Sequence, residues 1–368
     1  MPIANSHKMI LAIETSCDDS AVALLDMQGN VLTSQISSQT ELHEKYGGIV
    51  PELASRKHLT TLPLLIRYVL GEFDIRLQDL QAVAVTYAPG LIGSLLVGVS
   101  YAKSLAWLAG VPLIPVDHLE GHLLAPFLDH KDLRFPYMGL IASGGHTHLV
   151  IANGLNDYKL IGKTIDDAAG EAYDKVAKML GFQYPGGPII EKLAGECEKP
   201  TIEFPIPLKG KKTLNFSFSG LKTAVRNKAI EGDLYVEKKE LISYDDFAKW
   251  PESDKKDRVR DIAASFQQVV VKIIVQRFEK ALKQYPMKDI VLTGGVASNT
   301  GIREGLQALA QKRQKRFFFP DSKNCTDNAA MIGYTALQYF GDRRFIREDH
   351  LRMNASSKSP IGQLVVST

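Results

Sequence analysis

Residues 9–32 read MILAIETSCDDSAVALLDMQGNVL. Ile10 to Thr15 has the composition of a buried strand, Ser16-Cys17-Asp18-Asp19-Ser20 that of a polar turn, and Ala21 to Leu25 that of a second strand. Gly29-Asn30 then turns the chain into a third strand. The same layout returns at 137–162. Met138 to Ala142 predicts a strand, Ser143-Gly144-Gly145-His146-Thr147 a turn and His148 to Ala152 a strand, with Asn153 to Asp157 turning into Tyr158 to Ile161. The two segments share little identity, but they share a three-strand meander with a polar hairpin after the first strand. A unit repeated at about 130 residues indicates a duplicated domain.

Working outward, each meander is followed by helices and single strands. Pro51 to Val69 predicts a helix, Ala82 to Thr86 a short buried strand, and Ile92 to Leu108 a helix that opens on a Pro-Gly turn. Val111 to Pro115 is another strand. In the second half, Asp166 to Leu180 and Asp261 to Leu282 predict helices, and Ile290 to Thr293 predicts a strand ending in Gly294-Gly295 before a helix from about Thr300. Strands alternating with helices make an α/β chain. The duplicated order is the pattern of the two-lobed ribonuclease-H-like fold of the actin, sugar-kinase and Hsp70 ATPase superfamily. That fold places a nucleotide between the lobes and leaves the chemistry open. The expected boundaries are 9–135 plus about 327–345 for the first lobe, 136–326 for the second, and an irregular polar tail over 346–368.

Composition sets few limits. The 368 residues are 45% hydrophobic and 23% charged, enough for two cored domains. A net charge of +3 neither demands nor excludes nucleic acid. Cys17, Cys197 and Cys325 are too scattered for a disulfide framework or a Cys-x-x-Cys metal site. Met1 to Lys8 lacks the apolar core of a signal peptide, and no uninterrupted apolar run reaches the ~18 residues of a membrane span. The expectation is a cytoplasmic protein with no membrane partner.

Asp117-His118-Leu119-Glu120-Gly121-His122 carries the clearest chemistry. Histidines four apart stand over one another on a helix and can share one metal ion. An ordinary pair on a polar helix face reads equally well from the spacing alone. A third ligand is needed, and Asp327 in Asn324-Cys325-Thr326-Asp327-Asn328 is the natural candidate, at the start of an apolar helix. Its competing role is a helix cap, favoured there by the macrodipole. The segment resembles a zincin only superficially. Zincins need His-Glu-x-x-His, whereas Glu120 follows His118 by two positions, about 200° around a helix, and points away from the ion.

Three glycine turns supply places for an anion to meet backbone N–H groups: Ser143-Gly144-Gly145-His146, Tyr184-Pro185-Gly186-Gly187-Pro188 and Gly294-Gly295-Val296-Ala297-Ser298-Asn299. No G-x-x-x-x-G-K-[ST] motif occurs, so the cleft is not a P-loop.

With those motifs in order, and with Gly47 to Arg56 (GGIVPELASR), Ile165 to Ala172 (IDDAAGEA) and Phe216 to Thr223 (FSFSGLKT) between them, the chain resembles the TsaD family (older name Gcp), the tRNA N6-adenosine threonylcarbamoyltransferases, over roughly residues 9–341. The resemblance implies transfer of the threonylcarbamoyl group of L-threonylcarbamoyl-adenylate to the exocyclic amine of the adenosine just 3′ of the anticodon, in tRNAs reading codons that begin with A. AMP leaves. The family's metal ligands fall on His118, His122 and Asp327, and its substrate contacts on Ile141, Ala142, Ser143, Gly144, Gly145, Asp174, Gly187 and Asn299. The acidic turn falls on Asp18 and Asp19, with Asp18 assigned to proton removal or to orienting the acceptor. The donor set fits one divalent ion per subunit, Fe(II) favoured, with Zn as the alternative. A bacterial style of sequence implies the partner proteins TsaB and TsaE. A different activity on the same fold, an ATPase or kinase, would need a carboxylate Mg site, and a non-catalytic subunit would not need the His/His/Asp set.

The chain departs from the family pattern in two places. Ala297-Ser298-Asn299-Thr300 replaces the commoner Ser-x-Asn-Arg, and Gly232 to Arg258 is an extra stretch, dense in charge and poor in core residues. That stretch reads either as a solvated insertion or as a partner or RNA contact. Three basic clusters are candidates for tRNA: Lys312, Arg313, Lys315 and Arg316; Lys209, Lys211 and Lys212; and Arg343, Arg344, Arg347 and Arg352.

Overall fold

A computed structural model of the chain describes residues 8–236, 241–342 and 350–361. Its core is two five-stranded sheets. The first is built from β1 (Met9–Glu14), β2 (Ser20–Asp26), β3 (Val31–Ser37), β4 (Leu80–Ala88) and β5 (Leu113–Asp117), in the order β3-β2-β1-β4-β5. The second comprises β6 (Tyr137–Ala142), β7 (Thr147–Gly154), β8 (Asp157–Lys163), β9 (Asp289–Thr293) and β10 (Arg316–Phe318), and read from β8 its order is β8-β7-β6-β9-β10. In both sheets the meander is antiparallel and the two later strands are parallel to the first. The topologies are therefore identical, and the duplication read from residues 9–32 and 137–162 is real.

The sequence of each strand follows its place. β1, MILAIE, is buried at every position because it is central and covered on both faces. β3 is an edge strand and is more open, with Thr33 buried, Leu32 half-buried against the core, and Val31, Ser34 and Ile36 exposed. One face of the first sheet packs on α1 (Pro51–Glu72) and α2 (Ile92–Ala109), the other on α9 (Ala329–Gly341). The second sheet packs against α4 (Ala169–Met179), α5 (Gly186–Gly195), α6 (Ser219–Glu231), α7 (Asp254–Gln284) and α8 (Thr300–Lys312). Helix α2 alone among the described helices has the length and mean hydropathy, 1.3, of a membrane span. Lys103 and four serine or tyrosine positions interrupt it, and Leu95, Val99, Ala102 and Ala106 are buried in the lobe. The 22-residue α1 opens with Pro51 at its first position, where the missing N–H has no intrahelical partner in any case.

Several expected boundaries move. Helix α4 begins at Ala169, because the Asp166 carboxylate is committed to the neighbouring loop, accepting from the Phe218 N–H at 2.8 Å. Helix α7 begins seven residues before Asp261, because Ser253 caps it by accepting from the Lys256 N–H.

Among its described residues, 232–236 and 241–258, the charged stretch is not a solvated loop. Leu234 and Phe247 are buried, with the Phe247 ring edge-on to Phe182 at 5.3 Å between centroids. Lys256 is buried and donates to the Ala248 and Trp250 carbonyls. Among the tail residues, 350–361 also dock. Met353 and Ala355 pack on the first lobe, and Ile361 is buried beside Leu119 and Tyr137.

Candidate metal centre and nucleotide cleft

The histidine pair sits on α3 (His118–Leu124), a helix of seven residues that follows β5 directly. An isolated helix of this length is unstable in water, so its surroundings must hold it. Asp117 is its N-cap, accepting from the Leu119 N–H at 2.8 Å and the Glu120 N–H at 3.2 Å. At the other end the Thr293 hydroxyl donates to the His122 carbonyl at 2.7 Å. All seven residues are buried, so the pair does not lie on a polar helix face. The helix is clamped between the two sheets, since Thr293 belongs to β9 and Asp117 to β5.

The rings stand edge to face at 4.6 Å between centroids. Both Nε2 atoms face one oxygen of Asp327, at 3.4 Å from His118 and 3.1 Å from His122. One ligand atom from each of the three residues lies within 4.8 Å of the others. Asp327 is free to do this because Asn328, not Asp327, caps α9, accepting from the Met331 N–H at 2.9 Å. The cap and the candidate ligand are adjacent residues.

Glu14 lies behind His118, 1% exposed at the end of β1. Its carboxylate accepts from His118 Nδ1 at 3.0 Å and also from the Thr86 hydroxyl and the Ser16 N–H. Nδ1–H is thereby fixed, and Nε2 is the atom offered to an ion. Burial opposes charge on His118, but the Asp327 and Glu14 carboxylates outweigh it and hold its pKa well above the usual value. At His122 burial prevails and the pKa is lowered. Burial also opposes charge on Asp327, and the two histidines overcome it, holding that carboxyl well below its ordinary range. His122 Nδ1 is buried with no hydrogen-bond partner. Two imidazole nitrogens and one carboxylate converging from a buried wall fit the 2-His-1-carboxylate set of a divalent ion.

Glu120 faces the other way, as a zincin base could not. It accepts from the Tyr158 hydroxyl at 2.6 Å, the Asn156 N–H at 3.0 Å and the Tyr339 hydroxyl.

His118 and Asp327 form part of the wall of a cavity of about 580 Å3 between the lobes. The two hairpin turns of the duplicated meanders face each other across it: Ser16 to Asp19 on one side, Ser143 to His146 on the other. Tyr184, Pro185 and Gly295 bring the remaining two glycine turns to the same wall. A side chain added at Gly144, Gly145 or Gly187 would meet nothing within 4 Å, so the fold itself does not require glycine there. Gly186 and Gly294 differ, since a Cβ would strike Asp174 and Ala142 backbone. Open space on the side-chain side at Gly144, Gly145 and Gly187 lets a ligand approach the backbone closely.

The other expected contacts divide. Asp18 lines the cavity. Asp19 lines it too, with its carboxylate accepting from the Gln39 N–H at 3.2 Å, and burial with the nearby Asp18 charge pushes that carboxyl up to about 6. Ile141 and Ala142 bury their side chains in the core, leaving only backbone for a ligand. Asp174 lies on a second cavity of about 330 Å3 that shares Ile49, Gly144 and Tyr184 with the first. Its carboxylate accepts from the Gly186 N–H at 2.8 Å, and burial raises its pKa to about 6. Asn299 is the N-cap of α8, with Oδ1 accepting from the Ile302 N–H and Nδ2 donating to Gln267. Glu14, Thr86 and His146, all at or behind the cleft, are residues that the sequence pattern does not single out. A carboxylate ending an otherwise apolar strand was the available signal for Glu14.

The basic clusters are unequal. Arg313 pairs with Glu279, and Arg316 with Asp289 and Asp132, so that cluster is largely neutralised. Arg343, Arg344 and Arg347 lie outside the described residues.

A family model for TsaD, tRNA N6-adenosine threonylcarbamoyltransferase, matches residues 30–334. The tRNA N6-adenosine threonylcarbamoyltransferase of Trichlorobacter lovleyi is 43% identical over 97% of this chain and 98% of its own length. That of Clostridium perfringens is 46% identical over 89% of this chain and 92% of its own. Among solved structures, HypF of T. kodakarensis aligns with a TM-score of 0.59 at 14% identity, covering 95% of this chain and 49% of HypF. Component A of the Acidaminococcus fermentans (R)-2-hydroxyglutaryl-CoA dehydratase aligns with a TM-score of 0.53 at 14% identity, covering 91% of this chain and all of that one. These last two show a shared fold. The sequence match is of another order, running through both lobes and across the elements that carry His118, His122 and Asp327, and it places this chain in the tRNA N6-adenosine threonylcarbamoyltransferase family.

Proposed function

We propose that this chain transfers the threonylcarbamoyl group of L-threonylcarbamoyl-adenylate to N6 of the adenosine 3′-adjacent to the anticodon, in tRNAs that read codons beginning with A. One observation carries the reading: a His/His/Asp donor set opens into an interlobe cavity large enough for a nucleotide. His118, His122 and Asp327 would hold the ion, Fe(II) favoured over Zn, and Glu14 would fix the tautomer of His118. When bound, the ion supplies a Lewis acid for oxygen atoms of the acyl donor. The backbone of Ser143 to Gly145 and of Gly187 receives the adenylate, and Asp174 receives its ribose. Asn299 contacts the nucleotide only by giving up its bond to Gln267. The N6–carbonyl bond forms, the bond from that carbonyl to the phosphate oxygen breaks, and AMP departs with the electron pair. Asp18, at the cleft wall, orients the acceptor amine or takes its proton. Because an exocyclic amine is a weak nucleophile, positioning supplies much of the rate.

Partner proteins of the TsaB and TsaE kind, and a cytoplasmic setting, belong to the same proposal. Leu59, Leu64, Leu96, Trp107 and Leu108 on α1 and α2 are exposed, apolar surface suited to a protein partner. The test is direct. Purified protein is incubated with unmodified tRNA, L-threonylcarbamoyl-adenylate and those partners, and the modified nucleoside is quantified. Product from the wild type and its loss in His118→Ala are expected. Equal product from His118→Ala sinks the metal-dependent reading, and no product from the wild type sinks the transferase reading.

A further inference from the structure

Residues 353–361 run from the first lobe past the cleft to the histidine helix. Met353 and Ala355 pack on the first lobe, and the Ser356 N–H donates to the Tyr87 carbonyl at 2.9 Å. Ser357 then forms part of the wall of the 580 Å3 cavity. Two residues on, Ser359 is buried and its hydroxyl donates to Asp117 Oδ2 at 2.6 Å. The same hydroxyl accepts from the Ile361 N–H at 3.0 Å, and Ile361 is buried against Leu119 and Leu123 of the histidine helix. Asp117 thus has one oxygen held by Ser359 and the other by the N–H groups of Leu119 and Glu120 in the first turn of α3.

We propose that segment 353–361 is a strap built into the catalytic site: Ser359 is a positioning residue that sets the histidine helix through its N-cap, Asp117, while Ser357 completes the cleft wall. Three facts combine in this. A helix of seven residues has little intrinsic stability. Its N-cap carboxylate holds the helix N–H groups through one oxygen, and Ser359 fixes the other. Ile361 is buried in the apolar cluster that also holds Leu119 and Leu123 of that helix. Two imidazoles on that one helix meet a carboxylate from elsewhere in the chain, so a small rotation of the helix misplaces both.

The inference rests on His118, His122 and Asp327 being a metal site only for its second readout. The full-length protein is compared with Ser359→Ala and Ser359→Thr. Hydrogen exchange of the peptide spanning 117–124 is followed without metal, alongside a peptide spanning β9. Co(II) affinity and the visible Co(II) spectrum are then measured by chelator competition. Ser359→Ala is expected to speed exchange in the helix about ten-fold while leaving β9 unchanged, and to weaken Co(II) binding by about ten-fold, the lower end for loss of an outer-shell partner. Ser359→Thr restores both. Unchanged helix exchange in Ser359→Ala, or equal acceleration in β9, overturns the strap. A wild type that takes up no Co(II) refutes the metal reading alone, and the exchange comparison still decides the strap.

Discussion

Replacing Glu14 with glutamine changes one atom and tests the logic of the metal centre. The Glu14 carboxylate meets three donors: the Ser16 N–H at one oxygen, and the Thr86 hydroxyl and His118 Nδ1 at the other, the last at 3.0 Å. An amide has one acceptor oxygen and one NH2. If the oxygen stays with Ser16, the NH2 faces His118 Nδ1 and forces that nitrogen to become an acceptor. The ring proton then moves to Nε2, the atom offered to the ion. If the amide turns over, the NH2 faces the Ser16 N–H inside a buried wall. Either arrangement loses a charge-assisted hydrogen bond, about 1.5–3 kcal/mol. At about 1.4 kcal/mol per decade this weakens metal binding roughly 10- to 100-fold, in line with what outer-shell partners of metal-bound histidines contribute. The assay is competition of Zn(II) and Co(II) against a chromophoric chelator, with circular dichroism confirming the fold of the apo protein. A Glu14→Gln dissociation constant within two-fold of wild type, in folded protein, would refute the argument that Glu14 sets the His118 tautomer.

Three further outcomes follow from the same structure. Glu120→Ala leaves two tyrosine hydroxyls and the Asn156 N–H without their acceptor, and urea denaturation should show a loss of about 3–5 kcal/mol, as when one partner of a buried charged network is removed. Asp174 is pushed up to about 6, above the ~3.9 of an unfolded chain. The folded state therefore binds more protons between about pH 4 and 6, and stability falls as pH rises through that window. Asp174→Asn should accordingly melt higher than wild type at pH 7.5 and at the same temperature below pH 4, while raising KM for the adenylate; identical melting at both pH values would contradict this. Phe247→Ala opens a hole beside Phe182 and should lower unfolding free energy by about 3–5 kcal/mol, whereas a change under about 0.5 kcal/mol, the range of surface substitutions, would return the stretch 232–258 to the status of a solvated loop.

The sheets were legible because their signal is local. Strand period, polar turns and glycine punctuation survive in any stretch of about ten residues, and the repeat at 137–162 doubled the information. The histidine pair was legible for the same reason: four residues is one turn of helix. What escaped depends on single long-range contacts. Phe247 and Leu234 anchor a stretch whose remaining residues are mostly charged, so composition reported a loop. Ile361 and Ser359 do the same for the tail. Asp327 and Asn328 are both good helix starters, and only the observed hydrogen bond to Met331 shows which one caps and which one is left for chemistry. Glu14 was invisible as a partner of His118 because 104 residues separate them.

His122 and Asp327 are 205 residues apart in the chain. An ion joining them closes a loop of that size, as a disulfide would, and each doubling of loop length adds only about 0.6 kcal/mol to the entropy of closure. The whole closure of a loop that long is worth about 5 kcal/mol in the chain-entropy picture, and it bears on assembly order as well. The first lobe's strands β1 to β5 are synthesised and can pair long before Asp327 leaves the ribosome, while the histidine helix waits with two ligands and no third. With the ion held as proposed, tight metal loading would be a late event in the life of each molecule, coincident with the docking of α9 onto the first sheet. A chain truncated before that helix would keep both histidines and still lack the centre.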